Sequence, residues 1–341
     1  MSKLESQHHS FHSQHSKKRI VLVTISLIVL TLLLSILNLS MGSMSISFWN
    51  TIKVLLGMGE PNHELVIIEF RLARMVAALL IGAALAVSGA LLQGIIRNPL
   101  AAPDLLGVTG GASVFVVAFM TLFTGTYSIH WTPLIAIAGA FFAASLNYMF
   151  AWKDGVSPYR LVLIGLGIST ALHAITTFLF LSGPAHLASQ VLNWMTGSIY
   201  GTSWADVNAL FPWVAVFIPL AWLFSNQLNV MALGDQTATG LGIRLQLNRM
   251  LLLLFSVALA GAAVGFAGTI AFIGLLAPHI ARKLVGPTYG ILIPVSALTG
   301  GMILLAADLA GRMLFEPLDI PAGVFTASIG APFFLYLLYR R

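Results

Sequence analysis

Long apolar runs, separated by short polar stretches, dominate the chain from residue 20 onward. A run of about 20 apolar residues can cross the hydrocarbon core of a bilayer as a helix. Such runs are centred on residues 20–38, 74–96, 103–123, 133–152, 160–181, 210–227, 250–270, 289–307 and 321–339. A shorter apolar piece, 270–285, turns back after Gly268. With that piece counted, the pattern predicts an all-α polytopic membrane protein of about ten spans, one integral domain over residues 20–341. Residues 1–19 are polar and predict a disordered tail. His8, His9, His12 and His15 are read there as solvated side chains rather than a metal site. The run Ile20–Leu37 follows Lys17, Lys18 and Arg19 as a signal peptide would, but no small-x-small cleavage site follows, so a retained first span is expected.

Composition supports that class. Of 341 residues, 58% are apolar and 8% charged, against about 25% charged in a soluble domain. A water-soluble globule of this size could not cover itself with so few charges. The chain has no cysteine, so disulfides and iron–sulfur ligation are excluded. Its net charge of +6 bears first on orientation. With a cytoplasmic N-terminus, the inner side carries Lys3, Lys17, Lys18, Arg19, Arg97, Lys153, Arg160, Arg244, Arg249, Arg282, Lys283, Arg340 and Arg341. The outer side has Lys53, Arg71, Arg74 and Arg312. The bias predicts both termini in the cytoplasm. No basic stretch interleaved with aromatics points to nucleic acid.

By this topology no Asp, Glu, Lys or Arg falls at mid-span, and His173 is the titratable side chain there, read as a packing residue. Ion-coupled carriers usually hold a charge in the membrane, so energy is expected to enter from outside this domain. Gly82, Gly89, Gly165, Gly167, Gly261, Gly265, Gly268, Gly300 and Gly301 recur at intervals that let helices pack closely. A faint repeat pairs GAALAVSG at Gly82 with GAAVGFAG at Gly261, each followed by a proline, Pro99 or Pro278. The copies run in opposite directions, which suggests inverted halves.

The longest inner loop, residues 226–249, has Leu233, Thr237 and Leu241 at helical spacing, Gly234 and Gly242 as punctuation, and Asp235 placed to cap a short helix. A structured element on the membrane surface suits docking to a partner. Arg71 and Arg74, three apart at the start of the second span, share a face if that stretch is α-helical. Together with Arg312 they are either anchors paired locally with Glu69 and Asp308 or outward recognition groups. No nucleotide-binding loop and no hydrolase or zinc motif occurs. ATP hydrolysis, if used, belongs to another polypeptide. Two rivals follow: an ATP-independent carrier or channel, and a membrane enzyme using Asp308, Arg312, Glu316 and Asp319, which fit a turn and a docking patch better.

Four stretches carry a family resemblance: RNPLAAPDLLGVTGGAS (97–113), ALGDQTATGLGI (232–243), GFAGTIAFIGLLAPHIARKLVG (265–286) and IPAGVFTASIGAPFFLYLL (320–338). They resemble the FecCD-type permeases of type II ATP-binding-cassette importers for iron–siderophores, haem and vitamin B12, from about residue 20 to the C-terminus. The resemblance implies a BtuC-like permease fold in a bacterial cytoplasmic membrane. It implies alternating access, a second permease subunit, two ATPase subunits that hold the ATP and Mg, and an extracytoplasmic binding protein. Arg71, Arg74 and Arg312 would meet acidic side chains of that binding protein. A coupling element at about 234–246 would meet the ATPase through Gly234, Asp235, Ala238 and Gly242. The inner gate would fall at Asn98, Pro99 and Leu100 and at Val156, Ser157 and Pro158. A ferric siderophore is the expected cargo, with haem or vitamin B12 as alternatives.

Overall fold

The computed structural model describes residues 2–42, 44–123, 127–316 and 318–339, with side chains omitted for 2–17, 337 and 338. The tail histidines, Lys3, Lys17, Arg340 and Arg341 therefore lie outside the described side chains. Among the described residues the chain is helical, and its extended pairing is the isolated Trp152–Val156 bridge. Helix α1 is Ser2–Ser40 and α2 is Phe48–Leu55; α3, Pro61–Glu64, runs through a π-helical stretch, Leu65–Leu72, into α4, Ala73–Ile96. Then follow α5 (Val108–Leu122), α6 (Thr132–Ala151), α7 (Pro158–Ser182), α8 (Ala188–Met195) and α9 (Trp204–Leu223). Two short helices, α10 (Ser225–Ala232) and α11 (Asp235–Gly240), precede α12 (Leu245–Ala267), α13 (Ile273–Val285), α14 (Tyr289–Met313) and α15 (Ala322–Tyr339).

Seven of the described helical segments are long and apolar enough to cross a membrane. With the shorter α5, α13 and α15 they account for the ten expected spans. At 13 residues α13 is about 20 Å long and too short to cross alone. It is preceded by a turn in which Gly268 (φ 70°) and Phe272 (φ 67°) both take positive φ. The chain then returns to the α10 end, where Asn229 Oδ1 accepts the Tyr289 amide at 2.9 Å. The third span starts later than 103 because Pro103–Leu106 forms a 3-10 turn ended by Gly107 at φ 82°.

Helix α4 is the central post, mostly buried, whereas α1 is largely exposed, as a lipid-facing helix would be. A side chain at Gly82 would overlap the Gly300 carbonyl, and one at Gly89 would overlap the Gly274 carbonyl. The small residues therefore set the approach of α4 to α14 and α13, as their spacing predicts. Gly167 departs from that reading, since it faces open space on α7. Helices α4 and α12 cross where Ser88 and Ser256 donate to each other's carbonyls, at 2.8 and 3.1 Å. Around that crossing α4 packs on α13 and α14, while α12 packs on α5 and α6. This reciprocity agrees with inverted halves. The prolines do not take part in it: Pro99 lies in a turn and Pro278 inside α13.

Candidate functional site

The two ends of α4, about 36 Å apart by its 24 residues, carry the two groups of expected site residues. At its C-terminal end, Arg97 adopts a left-handed conformation (φ 56°) and turns its guanidinium to Asp235, 3.1 Å away. Asp235 opens α11 and also receives Arg249, whose Nη2 donates to both carboxylate oxygens at 3.0 and 3.1 Å. The expected helix cap is therefore corrected. Gly234 (φ 114°) is the N-cap residue without a side-chain bond, because two cations within reach of the Asp235 carboxylate hold it more strongly than backbone amides would.

Ala238 is fully buried under α11, whereas Gln236, Thr237, Thr239 and Leu241 are exposed. Gly242 holds φ 81° with open space around its Cα. Of the four residues expected at the coupling contact, Gly242 is the one wholly on the outside. Asp235 and Ala238 support the helix from beneath.

The two expected gate turns lie at this same end. Asn98 Oδ1 accepts the Leu100 amide at 3.0 Å, and Pro99 borders a cleft of about 730 Å³ that also touches Gln93, Arg97, Arg282 and Tyr289. In the second turn Val156 is buried, Ser157 caps α7 by accepting the Arg160 amide at 3.3 Å, and Pro158 is the first helical residue. Both turns are stiff for local reasons: an Asx turn in one, an N-cap followed by proline in the other.

At the opposite end Arg71, Arg74 and Arg312 line one basin of about 780 Å³, together with Glu69, Tyr200 and Asp319. Their partners differ, because the π-helical stretch rotates Arg71 away from the α-helical register assumed from its spacing. Arg71 is buried and donates to the carbonyls of Leu39 (2.7 Å), Ser40 (3.0 Å) and Met44, closing the C-terminus of α1. Such donors satisfy helix-end carbonyls and complement their partial negative charge.

Arg74 forms a bidentate pair with Asp319 at 2.7 and 2.9 Å, and its Nε donates to Asp308 at 2.9 Å. Its guanidinium also lies 5.6 Å from the Tyr200 ring centre. Arg312 sits 3.4 Å from Asp308 and donates to the Asn38 carbonyl at 3.2 Å. Asp308 is fully buried between the two arginines. The local pair of Arg312 with Asp308 is thus realised, while Glu69 stays exposed at the basin rim.

Sequence reading missed Gln246, and it counted Arg97 and Arg249 as orientation charges alone. Arg249 carried a signal of its own, since a cation inside an apolar helix must find an anion if its face is buried.

A profile of the FecCD transport family matches residues 29–340. The "Probable siderophore transport system permease protein YfhA" of Bacillus subtilis is 44% identical over 330 residues, covering 95% of this chain and 96% of the relative. The achromobactin transport system permease CbrC of Dickeya dadantii is 44% identical, with 95% and 94% covered. Among solved structures, a metal-chelate-type ABC transporter in an inward-facing conformation superposes with a TM-score of 0.84 at 30% identity, covering 94% of this chain and 99% of that one. The chain belongs to the FecCD transport family: it is an all-α, multi-pass permease of an ABC importer for iron chelates, a transporter component and not an enzyme.

Proposed function

We propose that the chain carries a ferric siderophore across a bacterial cytoplasmic membrane by alternating access, with both termini in the cytoplasm. A second permease subunit completes the pathway. Two ATPase subunits, holding ATP and Mg, dock on the cytoplasmic face. The observation that carries this reading is α11. It presents Gln236, Thr237 and Thr239 to solvent, with Leu241 directly after it, while Asp235 fastens it from below to the end of α4 and to α12. A helix exposed on one face and braced on the other can receive a push and pass it to the spans. The relatives named for siderophores, achromobactin and iron(3+)-hydroxamate support the cargo.

On the opposite end, a binding protein docks over the basin that holds Arg74. Its acidic side chains meet Arg74 by exchange with Asp319, the exposed member of the cluster, and add a charge beside Arg312 and Arg71, which line the same basin and keep their backbone partners. Exchange of one carboxylate for another costs little net energy and favours orientation over affinity. The turns at Asn98–Leu100 and Val156–Pro158 form the inner gate.

Uptake by cells lacking the chain tests the cargo. Labelled ferric siderophore accumulation is expected to be lost, while haem and cobalamin uptake persist. Loss of cobalamin or haem uptake with siderophore uptake intact overturns the assignment.

A further inference from the structure

Among the described residues Arg249 is the largest fully buried side chain, 1% exposed. Its guanidinium has two directed bonds to segments far apart in sequence. Nη2 holds the Asp235 carboxylate at the start of α11, and Nη1 donates to the Val156 carbonyl in the turn before α7. Gln246, one helical turn earlier on α12, grips the same residue from both sides. Its Oε1 accepts the Val156 amide at 3.0 Å and its Nε2 donates to the Val156 carbonyl at 3.4 Å.

Gly155 admits that grip. It sits at φ 104°, and a Cβ there would lie 2.5 Å from the Gln246 amide nitrogen. The turn is itself braced, because Arg160 Nη2 donates to the Lys153 and Gly155 carbonyls at 2.8 Å each and its Nε donates to Ser157 Oγ at 3.2 Å. Whatever moves Val156 therefore moves the first turn of α7.

Stability alone does not account for a buried guanidinium. A well-packed apolar side chain holds helices together without the cost of desolvating a charge. The guanidinium adds fixed, forked geometry that can serve two acceptors at once, which a lysine ammonium on a flexible stem does not reproduce.

We propose that Arg249 is a positioning residue that ties α11 to the Val156–Pro158 turn, so that the two move as one unit and displacement of α11 is delivered to the start of α7. The inference deepens the docking reading of α11 and rests on it.

The test uses the full transporter, assembled with its ATPase subunits and binding protein in vesicles. The chain has no cysteine, so G240C on α11, at a glycine with open space around it, and K153C in the turn, both exposed, accept spin labels selectively. Their separation is expected to stay the same with and without ATP, and in Arg249→Lys it is expected to broaden or shift between the two states. Chelate transported per ATP hydrolysed is expected to fall about tenfold or more in Arg249→Lys, within the ordinary range of a coupling free energy.

The tie is overturned if the separation in the labelled parent changes between states. It is equally overturned if Arg249→Lys keeps both the fixed separation and the parent's transport per ATP. The docking reading is judged separately, by whether Leu241→Arg abolishes co-purification of the ATPase. If co-purification survives, docking on α11 is wrong and the label distances still decide the tie.

Discussion

Asp308 and Asp319 both pair with Arg74, yet the structure separates them by solvent access, and this gives a quantitative contrast. The Asp308 side chain is 0% exposed and lies between Arg74 and Arg312, whose side chains are 12% and 10% exposed. Asp308→Asn keeps the shape but leaves Arg74 with Asp319 as its one paired carboxylate and Arg312 with none. Removing one member of a buried pair costs about 3–5 kcal/mol. Asp319 is 27% exposed, and water can replace much of what it offers Arg74. Asp319→Asn should therefore cost about 1 kcal/mol, the upper end for a solvent-reached pair. The difference of about 2–4 kcal/mol is a factor of about 30 to 700 in the folded-to-unfolded ratio, taking 1.4 kcal/mol per factor of ten. Titrating SDS into detergent-solubilised protein, with helicity as the readout, measures it. Asp308→Asn should unfold at a clearly lower SDS fraction, with Asp319→Asn close to the parent. Equal shifts, or a larger one for Asp319→Asn, would refute the reasoning that burial rather than bond count sets the worth of each carboxylate.

Other outcomes follow from the same geometry. Gly82→Leu should prevent close approach of α4 to the Gly300 carbonyl and cost more than the about 1–3 kcal/mol of ordinary overpacking, seen as loss of monodisperse protein in size-exclusion chromatography; Gly167→Leu, in open space, should leave the elution profile unchanged. Arg71→Gln should release the end of α1, read as faster proteolysis near residues 40–46, because three carbonyl acceptors lose their donor. Gly242→Leu must adopt φ 81° and should cost about 1–2 kcal/mol from left-handed strain. It should leave the bundle folded while weakening ATPase co-purification, and unimpaired co-purification would remove Gly242 from the contact.

The spans were legible because each is a run of apolar residues long enough to identify itself, and the short α13 because Gly268 and the charge bias both required a return. The short α11 helix was legible from Gly234 and Gly242, whose positive φ values meet the conformational need that makes glycine useful at such punctuation. The ionic partners were not. Arg74 meets carboxylates 234 and 245 residues away, and local spacing carries no information on such pairs. The π-helical stretch was equally hidden, since one changed backbone bond register leaves no mark in the order of side chains, yet it sends Arg71 to α1 and Arg74 to α14. Asp235 looked like a helix cap because its neighbours in sequence are backbone amides. Its neighbours in space are Arg97 and Arg249.

In the proposed mechanism this permease moves its cargo with energy delivered from a separate ATPase. Reconstituting the purified chain in vesicles, with and without the ATPase subunits and binding protein, and following labelled ferric siderophore tests it most directly. Accumulation should require all components and ATP. Uptake by the chain alone, down a chelate gradient and without ATP, would contradict it.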